Sequence, residues 1–205
     1  SQNVSDAKSK KNKNTPILRV RCIKEPTKDQ TVVLEKLVQP LYDNYLATNL
    51  KNVKPPKTLR NASYLLIEDF NTTGLTGAYT PDAKNKFSKS IAKGVETGKT
   101  DSDRNNYLSW RMVQGISAKN VKELGSRGQG KMAYHHASIY NVCFQITRRE
   151  TDNKLLFDGT CRYNMVLSKS QKLLEKTGYY GIPDEEERWC NPIEDEKKIN
   201  SICKI

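Results

Sequence analysis

The chain has 205 residues, with 35 Lys and Arg against 23 Asp and Glu, a formal charge of +12. That length allows one domain with a short appendage, and a hydrophobic content of 36% predicts a modest core wrapped in polar, Lys-rich segments rather than a disordered chain. No run approaches the ~18 apolar residues of a transmembrane helix, no charged-then-apolar leader opens the chain, and the positive excess points to polyanionic partners: nucleic acid, acidic lipid or nucleotide phosphate. Cys22, Cys143, Cys161, Cys190 and Cys203 are odd in number and form no C-x-x-C pair. They support neither a disulfide framework nor a zinc ribbon and fit reduced thiols in a cytoplasmic setting. His135 and His136 are adjacent; on a helix they point about 100° apart, so no structural metal is expected from them.

In chain order, Ser1 to Ala7 opens without Met, as if cut from a longer protein, and Lys8 to Lys13 is a basic connection. Ile17 to Ile23 alternates apolar and basic residues, the pattern of a half-buried strand. Pro26 to Gln30 reads as a polar break. Thr31 to Asn49 has helical spacing that Pro40 is expected to break or kink. Ala62 to Ile67 is a compact apolar run, read as a buried strand that delivers Glu68 and Asp69 at its end. From Gly77 to about Asn106 the composition predicts a long surface loop or lid, followed by a short element at 107–113 anchored by Trp110. Met132 to Tyr140 reads as a helix. Residues 142–149 and 154–167 read as strands joined by a hairpin connection, Glu150 to Asn153. Beyond Ser168 the chain is polar and includes the acidic run Asp184 to Glu187. Patterning alone therefore gives an α+β fold.

Three stretches carry candidate chemistry. Gly125, Gly128 and Gly130 precede a helix. Glycines let backbone approach a ligand closely, helix-start amides attract phosphate, and Lys131, with Arg127 nearby, adds positive charge. The spacing is not that of a Walker loop, because Met132 follows Lys131, and no strand immediately precedes it as in a dinucleotide-binding fingerprint. Ile67 to Gly77 places Asp69 at a strand end, where a carboxylate can accept from an exocyclic amine such as that of adenine. Thr73 and Gly74 follow, leaving room for a flat base. The same stretch also fits an ordinary strand exit with Asp capping the turn. Asn3 and Asp6, at i,i+3 spacing on a helix, offer oxygens to Mg²⁺.

Taken in order, these stretches resemble the motifs of the GHKL (Bergerat-fold) ATPase superfamily, which includes DNA gyrase, MutL-type repair proteins, heat-shock chaperones and sensor histidine kinases. Asn3, Asp6 and Ala7 match the latter part of E-x-x-x-N-x-x-D-A. Asp69 to Gly74 approximates the strand-end D-x-G-x-G, with Asn71 in place of its first Gly and Gly74 one residue late. Gly125, Gly128 and Gly130 match G-x-x-G-x-G, and Gly125 to Ser138 is the nearest stretch. The form Glu68 to Gly77 is similar to that of a bacterial branch of ATP-binding proteins.

The resemblance covers about residues 1–167. It implies an α/β sandwich, a mixed and mostly antiparallel sheet with helices on one face, in an ATP-binding domain at 1–168 with a lid at about 77–124, followed by an extension or new domain at 169–205. It implies that Asn3 ligates Mg²⁺ on the ATP phosphates, Asp69 binds adenine, and Gly128, Gly130 and Lys131 wrap the phosphates. Gly159-Thr160 is similar to a pair that supports the adenine-binding Asp.

The family's general base is a Glu four residues before the Asn, upstream of Ser1. A base must lie within hydrogen-bond reach of the water. The segment alone is therefore expected to bind ATP with little turnover, and the full-length protein to be an Mg²⁺-dependent ATPase. Other domains of the parent protein and an ATP-dependent dimer are implied partners; no membrane partner is expected. Two alternatives stand beside this one: a basic nucleic-acid-binding module, although no recognised nucleic-acid motif appears, and a scaffold that kept the fold without the chemistry.

Overall fold

A computed structural model of the chain describes residues 7–9, 11, 13–47, 63–92, 105–112, 130–138, 140–162, 166–167, 173–174, 177–184 and 190–203. Helices and mostly antiparallel sheets are mixed along the chain, giving an α+β fold. The chain divides into two compact units: Ser1–Ile17, Asp69–Tyr134 and Ile146–Leu156 form the first, and Leu18–Glu68, His135–Gln145 and Phe157–Ile205 the second.

Strand β1 (Ile17–Ile23) pairs with β2 (Tyr64–Phe70) in a two-stranded sheet. Ser63 Oγ donates to Lys24 O at one end, and Glu68 on β2 takes Arg21 of β1 at 3.0 Å. The strand expected to be buried at 62–69 is only half covered. Leu65 is 50% exposed and Asp69 and Phe70 lie on the surface, because a two-stranded sheet leaves much of its apolar area to be covered by other elements.

Helix α1 (Lys28–Ala47) starts three residues earlier than its apolar spacing suggests and runs through Pro40. Its start is a capping box. Gln30 Oε1 accepts from Thr27 N at 2.8 Å, and Thr27 Oγ1 accepts from Gln30 N at 3.3 Å, so two orphan donors are satisfied reciprocally. Pro40 removes one helical donor, and the carbonyl it would have served belongs to Lys36. Both residues are exposed, so water can take that bond and the helix continues.

The segment from Gly77 to about Asn106, expected as a loop, contains α2 (Pro81–Ala92), and the short element expected at 107–113 is α3 (Asn106–Met112). Thr80 caps α2 through its Oγ1 to Ala83 N at 3.3 Å. Pro81 and Asp82 occupy the first turn, where a missing N–H costs nothing and a negative charge is favoured. Asn105 caps α3 through Oδ1 to Leu108 N at 2.8 Å. Tyr107, Leu108 and Arg111 anchor α3, each 0% exposed, whereas Trp110, the expected anchor, is half-buried and meets Tyr134 ring to ring at 5.6 Å. Tyr134 lies on α4 (Gly130–His136), a helix that ends before the expected Tyr140.

The principal sheet has the order β3-β4-β7, formed by Val142–Arg148, Leu155–Arg162 and Thr177–Tyr180. The hairpin connection expected at 150–153 joins β3 to β4, with Arg149 N donating to Lys154 O at 2.9 Å and Asn153 at φ 57. Residues 155–161 of β4 are all buried. The strand expected over 154–167 ends at Arg162, and the short β5 (Val166–Leu167) pairs instead with β6 (Leu173–Leu174). The boundary expected at 168 falls between β5 and β6. Beyond it, β7 pairs antiparallel with β4 and Ile193 bridges Phe157 in both directions at 3.0 and 2.8 Å, so the later stretch is part of this unit. Strands β8 (Ile182–Pro183) and β9 (Cys190–Asn191) pair with each other, and α5 (Glu196–Ile202), capped by Asp195, buries Ile199 and Ile202.

Phe144, Phe157 and Tyr180 form an aromatic cluster on this sheet, with centroids 5.5 to 6.0 Å apart. Gly159 makes room for it: a Cβ there would lie 2.6 Å from the Phe144 ring and 3.2 Å from Tyr180 Cβ. Replacing Gly159 with Val should therefore lower unfolding free energy by about 1–3 kcal/mol through overpacking, measured by urea titration.

Candidate functional site

Asp69, the carboxylate singled out at the end of β2, is exposed and accepts from Thr72 Oγ1 at 3.3 Å through Oδ2. Glu68, beside it, is committed elsewhere: its Oε2 takes Arg21 at 3.0 Å and Arg19 at 3.8 Å. Strand alternation thus separates the two acids, one neutralised by β1 arginines and the other left at the surface. After Asp69 the chain turns sharply. Asn71 has φ 61, Gly74 φ 65 and Gly77 φ 112. Asn71 departs from the glycine of the motif, yet it adopts the left-handed backbone that asparagine tolerates best among larger residues, and its amide donates to Thr15 O at 2.9 Å.

This turn is clasped on both sides within the first unit. On one side, Lys8 bridges Thr72; Thr73 N donates to Ala7 O at 2.8 Å and Ser9 N to Asn71 O at 3.1 Å. On the other, Leu75 N donates to Thr147 Oγ1 at 2.8 Å and Glu150 N to Thr73 O at 3.0 Å. Ser9 Oγ and Lys11 N both donate to the Glu150 carboxylate, linking the two flanks. The close approach demands glycine at 74, where a Cβ would sit 2.2 Å from Arg148 O.

Ala7, the last residue of the Asn-x-x-Asp-Ala match, is therefore hydrogen-bonded to the strand-end motif. Asn3, Asp6, Gly125 and Gly128 lie outside the described residues. Gly130 and Lys131 open α4. Thr73 Oγ1 donates to Gly74 O at 3.2 Å. In the second unit, Thr160 Oγ1 lies 3.3 Å from His135 Nε2 in a buried pair, and His135 Nδ1 lies 3.1 Å from Asn141 O. A ring nitrogen facing a carbonyl must donate, so in neutral His135 Nε2 accepts from the Thr160 hydroxyl. His136 is exposed. Among the described residues no group of three or more His, Cys, Asp or Glu is placed to hold a metal ion.

The five cysteines are free thiols. Burial pushes Cys143 up to about 11, with Asp158 adding to the shift, so it stays protonated near neutrality and is no nucleophile there. Burial likewise raises Tyr180. Among the described residues no helix is long and apolar enough to cross a membrane. Comparison with protein families, with curated proteins and with solved structures returns no match.

Two of the missing sequence signals were present in the chain: Thr27-x-x-Gln30 for the start of α1 and Thr80-Pro81-Asp82 for α2. The clasp had no such signal, since its bonds are mostly main-chain and join segments far apart in sequence.

Gly74→Ala should destabilise the protein by about 1–3 kcal/mol, combining left-handed strain with the collision at Arg148 O, as read from denaturant midpoints. The folded pKa of Cys143 lies above its unfolded value of 9.0. Its contribution is thus intact below pH 9 and lost as pH rises toward 11. Unfolding free energy should fall across that window, and less steeply in Cys143→Ala. Pulsed alkylation at pH 8 should label exposed Cys22 well before Cys143 or buried Cys161.

Proposed function

We propose that this chain is the ATP-binding domain of a GHKL-type ATPase, in which ATP binding and hydrolysis drive conformational change in a larger cytoplasmic protein. The observation that carries the reading is the main-chain bridge between Ala7–Ser9 and Asn71–Thr73. It joins the end of the proposed Mg²⁺ motif to the proposed adenine motif, although more than sixty residues separate them.

Asp69 has the chemistry the role needs. It is exposed, Thr72 orients one carboxylate oxygen, and the other is available to an exocyclic amine. Asn71 and Gly74 hold the following backbone in a turn without bulk against a planar base. The glycine stretch ending at Gly130, with Lys131, would supply amides and charge to the phosphates, and Asn3 with Asp6 would supply oxygens to Mg²⁺. When bound, Mg²⁺ would neutralise phosphate charge. The segment that follows the turn, with α2 and α3, takes the place of the lid.

Mg²⁺-ATP titrated into the wild-type chain in a calorimeter should give a saturable heat. Asp69→Asn, at an exposed position that should not disturb folding, should weaken affinity at least roughly ten-fold by removing a charge-assisted hydrogen bond. Equal affinity in the two proteins, with unchanged circular dichroism, rejects the assignment of adenine to Asp69.

A further inference from the structure

A cationic cluster in the first unit centres on Arg149 and Lys154, neither of which was given a nucleotide role above. Arg149 follows β3 at the start of the hairpin loop and is only 7% exposed. Its guanidinium lies over the Tyr79 ring, 5.4 Å from the centroid. Nε is 3.2 Å from Asp152 Oδ1, but the alignment is not that of a hydrogen bond, and Nε and Nη1 are both buried with no acceptor among the described residues. A guanidinium cannot shed its charge, and a buried charge without acceptors is costly.

The surroundings concentrate positive charge. Tyr79 packs on Tyr107 at 5.5 Å, Arg111 donates to Tyr107 Oη at 2.7 Å, and Lys154 Nζ donates to Tyr79 Oη at 3.4 Å. Asp152 offsets part of this as the ion-pair partner of Arg149 at 3.2 Å, without a hydrogen bond to the guanidinium. Glu150 turns its carboxylate toward Ser9 and Lys11, and Asp152 Oδ1 also accepts from Lys154 N at 3.2 Å. Asp152 and Lys154 are exposed, so the cluster reaches the surface at the hairpin loop.

We propose that Arg149, held on the Tyr79–Tyr107 pair with Lys154 at its rim, binds a phosphoryl group, either as free phosphate or as the terminal phosphate of a nucleotide. The planar fork matches two oxygens of a tetrahedral oxyanion, and the ammonium of Lys154 supplies a third donor. The Tyr79 ring, itself packed on Tyr107, fixes the fork in place before the ligand arrives, which lowers the ordering cost of binding. This site does not depend on the assignment of adenine to Asp69.

The test is thermal unfolding and calorimetry of the 205-residue chain with inorganic phosphate, and separately with Mg²⁺-ATP, against chloride at equal ionic strength. A ligand that binds only the native state raises the midpoint with concentration. Phosphate should do so in wild type, Arg149→Gln should weaken its binding roughly ten-fold or more, and the exposed variant Lys154→Gln should weaken it several-fold. Asp69→Asn should leave the phosphate response unchanged, so failure of the adenine assignment and failure of this site give different results. A response to ATP alone that is lost in Arg149→Gln assigns the phosphoryl group to the nucleotide. The proposal is overturned if neither ligand shifts the wild-type midpoint, or if the shifts persist undiminished in both Arg149→Gln and Lys154→Gln.

Discussion

The first unit depends on the close approach of the 71–75 turn to the end of β3. Gly74 lies so near Arg148 O that no side chain fits, and that proximity lets Leu75 reach Thr147 and Thr73 reach Glu150. On its opposite flank the same turn bonds Ala7 and Ser9. Three segments distant in sequence are thus held by bonds, most of them main-chain, whose geometry leaves little slack. Each such bond adds only about 1 kcal/mol net, but an unmet buried amide costs more than a made bond contributes, so the arrangement is selected chiefly by the penalty for breaking it.

The second unit rests on a different device. Strand β4 is buried along nearly its whole length, which requires covering elements on both faces and an accommodating pattern of side-chain size. Gly159 supplies the missing volume for Phe144 and Tyr180, while Thr160, its neighbour on the opposite face, bonds His135. The Gly-Thr dipeptide therefore has a packing role in each residue: one yields space to aromatic rings and the other satisfies a buried imidazole. Any ligand role proposed for Thr160 must share its hydroxyl with His135.

Legibility in the sequence followed the range of the interactions. The hairpin at 150–153 and strands β1 and β3 were readable because alternation and turn residues act within a few positions. Helix α1 starts earlier than its apolar spacing because Thr27 and Gln30 cap it, and α2 forms inside the expected loop behind Thr80-Pro81-Asp82; both are local capping signals. Strand β2 is less buried than its apolar run suggests, because such a run says nothing about whether a second layer covers it; Leu65 stays half exposed. In the candidate site, Asp69 stood out as a strand-end acid, but its separation from Glu68 could be seen only once Arg19 and Arg21 were placed on β1. Arg149 gave no sequence signal, since a lone basic residue at a hairpin is ordinary until its partners are known.

The sequence by itself determined the α+β class, the free-thiol inventory and the local turns, because composition and short-range periodicity act through neighbouring residues. Only the tertiary structure decided which carboxylate is exposed, that Ala7 meets Thr73, that β7 joins β4, and that Arg149 is buried on Tyr79. Those outcomes depend on contacts between residues tens of positions apart. Their formation balances chain-closure entropy against burial and hydrogen bonding across the whole unit, a balance that no short window of sequence contains.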